Sequence, residues 1–275
     1  IGDFNMPYII AEMNTSHMGK ISSAKEMIKS AKEAGADCVK FQSWSAESLY
    51  SESYYRANRV AKRFIEKFAL TSENMKELSY FAQEINIGFA STPYSDEEVD
   101  FLLQECRVPF IKLASMEITN LDFIKRVAET GSAIVLSTGM ANLDEIKKAV
   151  NIIENTKSNR LAILHCVTAY PTPISDANLR NLELLRDNFP AFPIGYSDHT
   201  LGVEASAASV VLGAAIIEKH FTLDKTLIGM DNNMAMNPDE FSEMVRSCKE
   251  IFKALGSHER TILPAEESNK LKMRR

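Results

Sequence analysis

The chain has 275 residues, with 31 lysines and arginines against 37 aspartates and glutamates, a formal net charge of −6. That balance argues against binding nucleic acid through its phosphates, which requires a basic stripe. With 45 % hydrophobic and 25 % charged residues the composition excludes a disordered chain, and its length suits one large α/β barrel or two smaller domains.

Short apolar runs rich in β-branched residues alternate with helical patterns along the chain. The runs at residues 8–13, 37–42, 88–91, 110–113, 133–137, 161–166, 194–196 and 216–220 predict eight strands. Between them, Ser23 with Glu26, Ser95 with Glu98 and Asn142 with Glu145 have capping-box spacing, and Asn237 with Pro238 and Glu240 opens the last helix. The sets Ala24, Met27, Ile28, Ala31 and Phe241, Met244, Val245, Cys248, Phe252, Leu255 each keep one apolar face at helical period, expected to pack on a sheet. Strict alternation implies parallel strands with right-handed crossovers, and eight units close into a (β/α)8 TIM barrel, expected over residues 1–263. An open nucleotide-binding sheet is disfavoured, because neither a Gly-x-Gly-x-x-Gly after the first strand nor a Walker-type loop is present.

Residues 43–70 break the short-loop pattern. With Trp44, Tyr50, Tyr54, Tyr55, Arg56, Arg59 and Arg63 they are expected as a substrate-covering lid or as an extra solvated helix on the barrel rim. The longest uncharged stretch, residues 205–217, falls short of the roughly 20 residues a membrane helix needs and reads as helix running into strand. Cys38, Cys106, Cys166 and Cys248 contain no close pair, which suits neither a zinc spacing nor a disulfide framework and fits a reducing cytoplasm.

Barrel enzymes place their chemistry at the carboxyl ends of the strands. Here those ends carry Glu12 and Asn14, then Lys40 and Gln42, Ser91 and Thr92, Lys112 with Ser115 and Glu117, and Ser137 and Thr138. Thr168 and Tyr170, Ser197 with Asp198 and His199, and Lys219 with His220 follow. Two lysines in one mouth, together with hydroxyls from several strands, call for an anion such as phosphate or carboxylate. His199 and His220 end neighbouring strands roughly 4.8 Å apart, close enough to share one divalent ion such as Mn²⁺, Fe²⁺, Co²⁺ or Zn²⁺. Glu12 is a candidate carboxylate ligand or base, and Asp198 a candidate to orient a histidine from behind. His17, His165 and His258 receive no role.

Several segments together resemble the sialic acid synthase family, enzymes that condense phosphoenolpyruvate with an N-acyl amino sugar to make nonulosonic acids. They are Ile10-Ala-Glu-Met-Asn14 with His17 and Gly19, Val39-Lys-Phe-Gln42, Ala90-Ser-Thr-Pro93 and Ile111-Lys-Leu-Ala-Ser-Met-Glu117, followed by Leu136-Ser-Thr-Gly-Met140, Leu164-His-Cys166 with Tyr170-Pro-Thr-Pro173, Gly195-Tyr-Ser-Asp-His-Thr200 and Glu218-Lys-His-Phe221. The resemblance implies that His199 and His220 bind the metal, Mn²⁺ or Mg²⁺ in this family, with Co²⁺ also compatible with an imidazole pair. It implies that Lys40, Thr92, Lys112, Ser115, Ser137 and Ser197 hold phosphoenolpyruvate, with Thr168 where many members have Asn. Gln42, Glu117, Tyr170 and Asp231 would face the open-chain sugar, N-acetylmannosamine or a diacetamido-hexose, and Glu12 would handle the water.

Family members also resemble one another in a small antifreeze-like C-terminal domain that reaches over the partner's barrel in a homodimer. Residues 264–275 are accordingly expected as a linker toward it. No nucleic acid or membrane partner is expected. The alternatives are a Schiff-base aldolase using Lys112 or Lys40, and a non-catalytic barrel that binds a sugar or an anion.

Overall fold

The computed structural model describes residues 6–156, 158, 160–257 and 259–274; His258 lies outside them. Eight parallel strands close into a barrel in chain order: β1 (Tyr8–Glu12), β2 (Cys38–Ser43), β3 (Gly88–Pro93), β4 (Ile111–Leu113), β5 (Ile134–Ser137), β6 (Leu161–His165), β7 (Ile194–Asp198) and β8 (Ile216–His220). Each expected run is a strand, with ends shifted by a residue or two, and β1 closes the ring against β8 with Glu12 opposite His220.

The two faces of each strand go to different places, as period-two alternation requires. Outward residues such as Ile9, Val39, Phe41, Ile111, Leu136, Ile163 and Ile217 pack with the surrounding helices into the main core. Inward residues form a smaller plug inside the barrel from Ile10, Cys38, Ala90, Phe110, Val135, Leu164 and Ile216. Gly195 belongs to that layer because a Cβ there would lie 2.5 Å from Leu164 Cδ2 and 2.6 Å from the Ile216 carbonyl. Its lack of a side chain lets β6 and β8 approach β7.

The helical layer follows the caps in three places and departs in one. Ser95, Asn142 and Asn237 accept hydrogen bonds from the backbone N–H three residues on. Ser23 caps nothing: its helix starts at Ile21, with Lys20 in the cap position. The apolar face that buries Ala24, Met27, Ile28 and Ala31 extends back to Ile21, so packing draws the helix start ahead of the serine. The helix Pro238–Leu255 buries Phe241, Met244, Val245 and Cys248, but its apolar stripe leaves the barrel at the end, where Phe252 is half-buried and Leu255 is exposed.

Residues 43–70 contain three short helices, Ala46–Leu49, Glu52–Ala57 and Arg59–Phe68, around a satellite core of Trp44, Ala46, Leu49, Tyr55, Ile65 and Phe68. Residues expected as a C-terminal linker form the helix Pro264–Met273. Among the described residues no helix is long and apolar enough to cross a membrane.

Candidate active site

One step of two residues above the apolar plug, every strand turns chemical. Ile10 is followed on the same face by Glu12, Cys38 by Lys40, Ala90 by Thr92, Phe110 by Lys112, Val135 by Ser137, Leu164 by Cys166, Gly195 by Ser197 and Ile216 by Glu218. All eight of these groups line one cavity of about 480 Å³ at the carboxyl ends of the strands. One further step along β7 and β8 adds His199 and His220 to the same wall, and β2 adds Gln42.

Glu12, Lys40, Lys112 and Glu218 are 1, 3, 3 and 4 % exposed. Such charges persist away from water only when paired. The structure pairs them internally. Lys40 contacts the Glu12 carboxylate and lies 3.8 Å from Glu218 Oε2, while Lys112 lies 3.9 Å from Glu218 Oε1. Burial alone would lower the Lys40 ammonium, but Glu12 and Glu218 outweigh it and hold it above its ordinary value. Lys112 goes the other way: burial pulls it down, and the neighbouring Lys40 charge adds to the effect against Glu218. Burial opposes ionisation of Glu218, yet Lys112, Lys40 and the Ser197 hydroxyl, which donates at 2.9 Å, together hold it well below the usual carboxylate range. The negative partners that two lysines in one mouth call for are thus supplied at least in part by the chain itself, through Glu12 and Glu218.

The Lys112 ammonium donates to Ser137 Oγ at 2.6 Å. Beside it, Ser115 Oγ accepts from the Gly139 N–H at 3.0 Å and lies 3.1 Å from Cys166 Sγ. A Cβ on Gly139 would stand 2.2 Å from Thr168 Oγ1, 2.8 Å from Ser115 Oγ and 3.0 Å from Cys166 Sγ. The glycine therefore keeps a small polar niche open between three strand ends. Across the cavity, Glu12 Oε1 accepts from the Asn14 N–H at 2.8 Å and from Gln42 Nε2 at 3.1 Å, and Asn14 also donates to the Asp231 carboxylate.

The His199 and His220 rings lie 5.4 Å apart, with Tyr170 4.4 Å from the first and 6.0 Å from the second. His199 Nδ1 lies 2.8 Å from the Val167 carbonyl, so it carries the proton and leaves Nε2 with its lone pair, 3.5 Å from Ser197 Oγ. Burial lowers both imidazoles, His220 to about 4, so both are neutral near pH 7, the state a metal requires. A carbonyl orienting the ring from behind is the support that metal-binding histidines use. The pair fits a divalent ion as two ligands. Among the described residues no group of three His, Cys, Asp or Glu is placed to hold one.

Of the fourteen residues to which the family resemblance gives a role, thirteen line the cavity: Glu12, Lys40, Gln42, Thr92, Lys112, Ser115, Ser137, Thr168, Tyr170, Ser197, His199, His220 and Asp231. Glu117 does not. It ends a 3₁₀ turn, and its carboxylate accepts from Asn120 Nδ2 at 2.7 Å, at the start of the next helix. Neighbours of odd parity also leave the mouth. Asp198, expected behind a histidine, instead pairs with Lys219 at 2.9 Å outside the barrel and accepts from Ser206 Oγ at 2.6 Å, while Ser91 meets Ser43 at 2.8 Å. Glu218, Tyr94 and Cys166 line the cavity without having been assigned a role. Glu218 was detectable, since it sits two residues before His220 and so on its face.

Comparison with known proteins gives a consistent family. A family model described as the NeuB family matches residues 27–260. The chain is 39 % identical over 272 residues to an N,N'-diacetyllegionaminic acid synthase of Campylobacter jejuni, covering 95 % of this chain and 81 % of the relative. It is 37 % identical over 277 residues to an N-acetylneuraminate-9-phosphate synthase of Mus musculus, covering 97 % and 76 %. The crystal structure of an N-acetylneuraminic acid (sialic acid) synthetase from Leptospira borgpetersenii serovar Hardjo-bovis, in complex with citrate, superposes with a TM-score of 0.90 at 34 % identity, over 100 % of this chain and 95 % of that one.

Proposed function

The chain belongs to the NeuB family, and we propose that it joins phosphoenolpyruvate to the aldehyde carbon of an N-acyl amino sugar, giving a nonulosonic acid and phosphate. The observation that carries this reading is the convergence, in one cavity, of two buried ammonium groups, a set of small hydroxyls and a neutral imidazole pair. The ammonium groups and hydroxyls suit a small, highly charged anion. The lining residues Gln42, Tyr170 and Asp231, with Asn14, suit the hydroxyls and amide of an amino sugar, N-acetylmannosamine or a diacetamido-hexose.

In this reading Lys112 and Ser137, with Ser115, Thr168 and the Gly139 niche, hold one end of phosphoenolpyruvate, and Lys40, Thr92 and Ser197 the other. Binding transfers the lysines from Glu218 and Glu12 to the ligand. The π electrons of the methylene carbon form a bond to the sugar aldehyde carbon, whose C=O π pair moves onto oxygen and takes up a proton to become a hydroxyl, and positive charge develops at the enol-phosphate carbon. Water adds there, with Glu12 positioned to take its proton, and the tetrahedral adduct expels phosphate with carbon–oxygen cleavage. Lys40 and Lys112 stabilise the carboxylate and the departing phosphate. A divalent ion, Mn²⁺, Mg²⁺ or Co²⁺, held by His199 and His220, would supply Lewis-acid polarisation of the aldehyde. The unbridged, buried cysteines support a reducing, cytoplasmic setting.

The test is phosphate release from phosphoenolpyruvate against a panel of amino sugars, with and without Mn²⁺. The expected result is sugar-dependent release, with an oxygen-18 label in the bridging position of phosphoenolpyruvate recovered in the phosphate. Release that no sugar stimulates would overturn the reading. The lowered Lys112 amine favours a second reading, a Schiff-base aldolase. Borohydride with pyruvate would then add mass irreversibly to the chain, and this addition would be lost in Lys112→Met.

A further inference from the structure

We propose that Tyr94 is a positioning residue that locks Gln42 in one amide orientation and so sets what the acceptor must present to it. Tyr94 follows β3 and is held from both ends. Its N–H donates to Glu98 Oε2 at 2.6 Å, and the other oxygen of that carboxylate accepts from Ser48 Oγ, also at 2.6 Å, on the helical insertion between β2 and β3. At its other end the Tyr94 hydroxyl lies over the cavity and donates to Gln42 Oε1 at 2.9 Å. Gln42 Nε2 in turn donates to Glu12 at 3.1 Å.

The two partners of this amide demand the same orientation. A carboxylate only accepts, so it requires the NH₂ side, while the phenol meets the carbonyl side. Burial, reinforced by the nearby Glu12 charge, holds the phenol well above its ordinary value, so Tyr94 stays a donor at any working pH. The outcome is a fixed amide, with its carbonyl turned to Tyr94 and its NH₂ turned to Glu12, which takes one of its two N–H donors. Gln42 therefore offers the acceptor a hydrogen-bond donor, and the matching group on the sugar is an oxygen, carbonyl or hydroxyl. Phenylalanine would keep the ring but remove one of the two anchors of the amide, leaving Glu12 alone to hold it.

This inference rests on the condensation proposed above, and its test separates the two. First, the wild-type enzyme is assayed with the amino-sugar panel; turnover of none would remove the parent reading and this one with it. Given turnover, Tyr94→Phe is expected to raise KM for the acceptor about three- to tenfold, the effect of one lost buried hydrogen bond, with KM for phosphoenolpyruvate unchanged. In a Gln42→Ala background the same substitution is expected to change nothing further. Ser48→Ala, which removes the far anchor of Glu98 together with the hydrogen bond that Ser48 Oγ accepts from the Ser45 N–H at 2.9 Å, is expected to give a smaller rise of the same kind. An unchanged acceptor KM in Tyr94→Phe, a change confined to phosphoenolpyruvate, or an undiminished penalty in the Gln42→Ala background would overturn the role of Tyr94 while leaving the condensation intact.

Discussion

Glu218 Oε1 lies 3.9 Å from Lys112 Nζ, and the other oxygen of the same carboxylate lies 3.8 Å from Lys40 Nζ. One strand-end carboxylate thus serves as counter-ion to both amines of the cavity floor.

Glu218→Gln should separate stability from anion binding. Removing one partner of a buried charge cluster costs about 3 kcal/mol or more, so urea unfolding of the ligand-free variant is expected to show a loss of that order. The variant cavity carries one more net positive charge, so phosphoenolpyruvate is expected to raise the unfolding midpoint more in the variant than in the wild type. Equal ligand stabilisation in both would show that Glu218 does not compete.

For the imidazole pair, His199→Ala and His220→Ala are each expected to leave the urea midpoint near that of the wild type in chelator. Both variants are expected to lose the stabilisation that Mn²⁺ gives the wild type, and to lose sugar-dependent phosphate release by at least about a hundredfold. Electron paramagnetic resonance of added Mn²⁺ reads the binding directly. Full Mn²⁺ binding by both variants would remove the pair from the metal site.

Gly139→Ala places a methyl group in the niche between Ser115, Cys166 and Thr168, within 2.2–3.0 Å of their side-chain atoms. The expected outcome is phosphoenolpyruvate binding weakened beyond calorimetric detection, while Mn²⁺ binding at the histidine wall persists. Retained phosphoenolpyruvate affinity would place the anion elsewhere in the cavity.

The fourth prediction concerns acid stability. His17 is buried, burial lowers its imidazole to about 4, and its Nδ1 accepts from the Gly19 N–H at 3.1 Å. In the unfolded chain it protonates near 6.5. Between those values the unfolded state binds a proton that the folded state refuses, so stability falls as pH drops from 6.5 towards 4, by an amount on the order of 3 kcal/mol. His17→Asn can accept the same hydrogen bond without titrating, and its unfolding free energy should lose less over that window. Parallel pH profiles for the two proteins would discount His17.

Much of this protein is written in its sequence. The eight apolar runs and their alternation with helices specify the barrel, because period-two and period-3.6 patterns bury surface only in their own geometries. The same patterns locate the strand ends, and with them most of the cavity. What the sequence left open was parity and partnership. Asp198 stands beside His199 and Lys219 beside His220, yet only the closed sheet shows that Asp198 and Lys219 pair on the outer face. Glu117 reads as a mouth residue until the 3₁₀ turn hands it to Asn120. The charge balance of Lys40 and Lys112 depends on Glu218, 178 and 106 residues later in the chain. Only barrel closure, which sets β8 beside β1 and opposite β4, brings those charges within 4 Å, where low dielectric makes their pairing decisive.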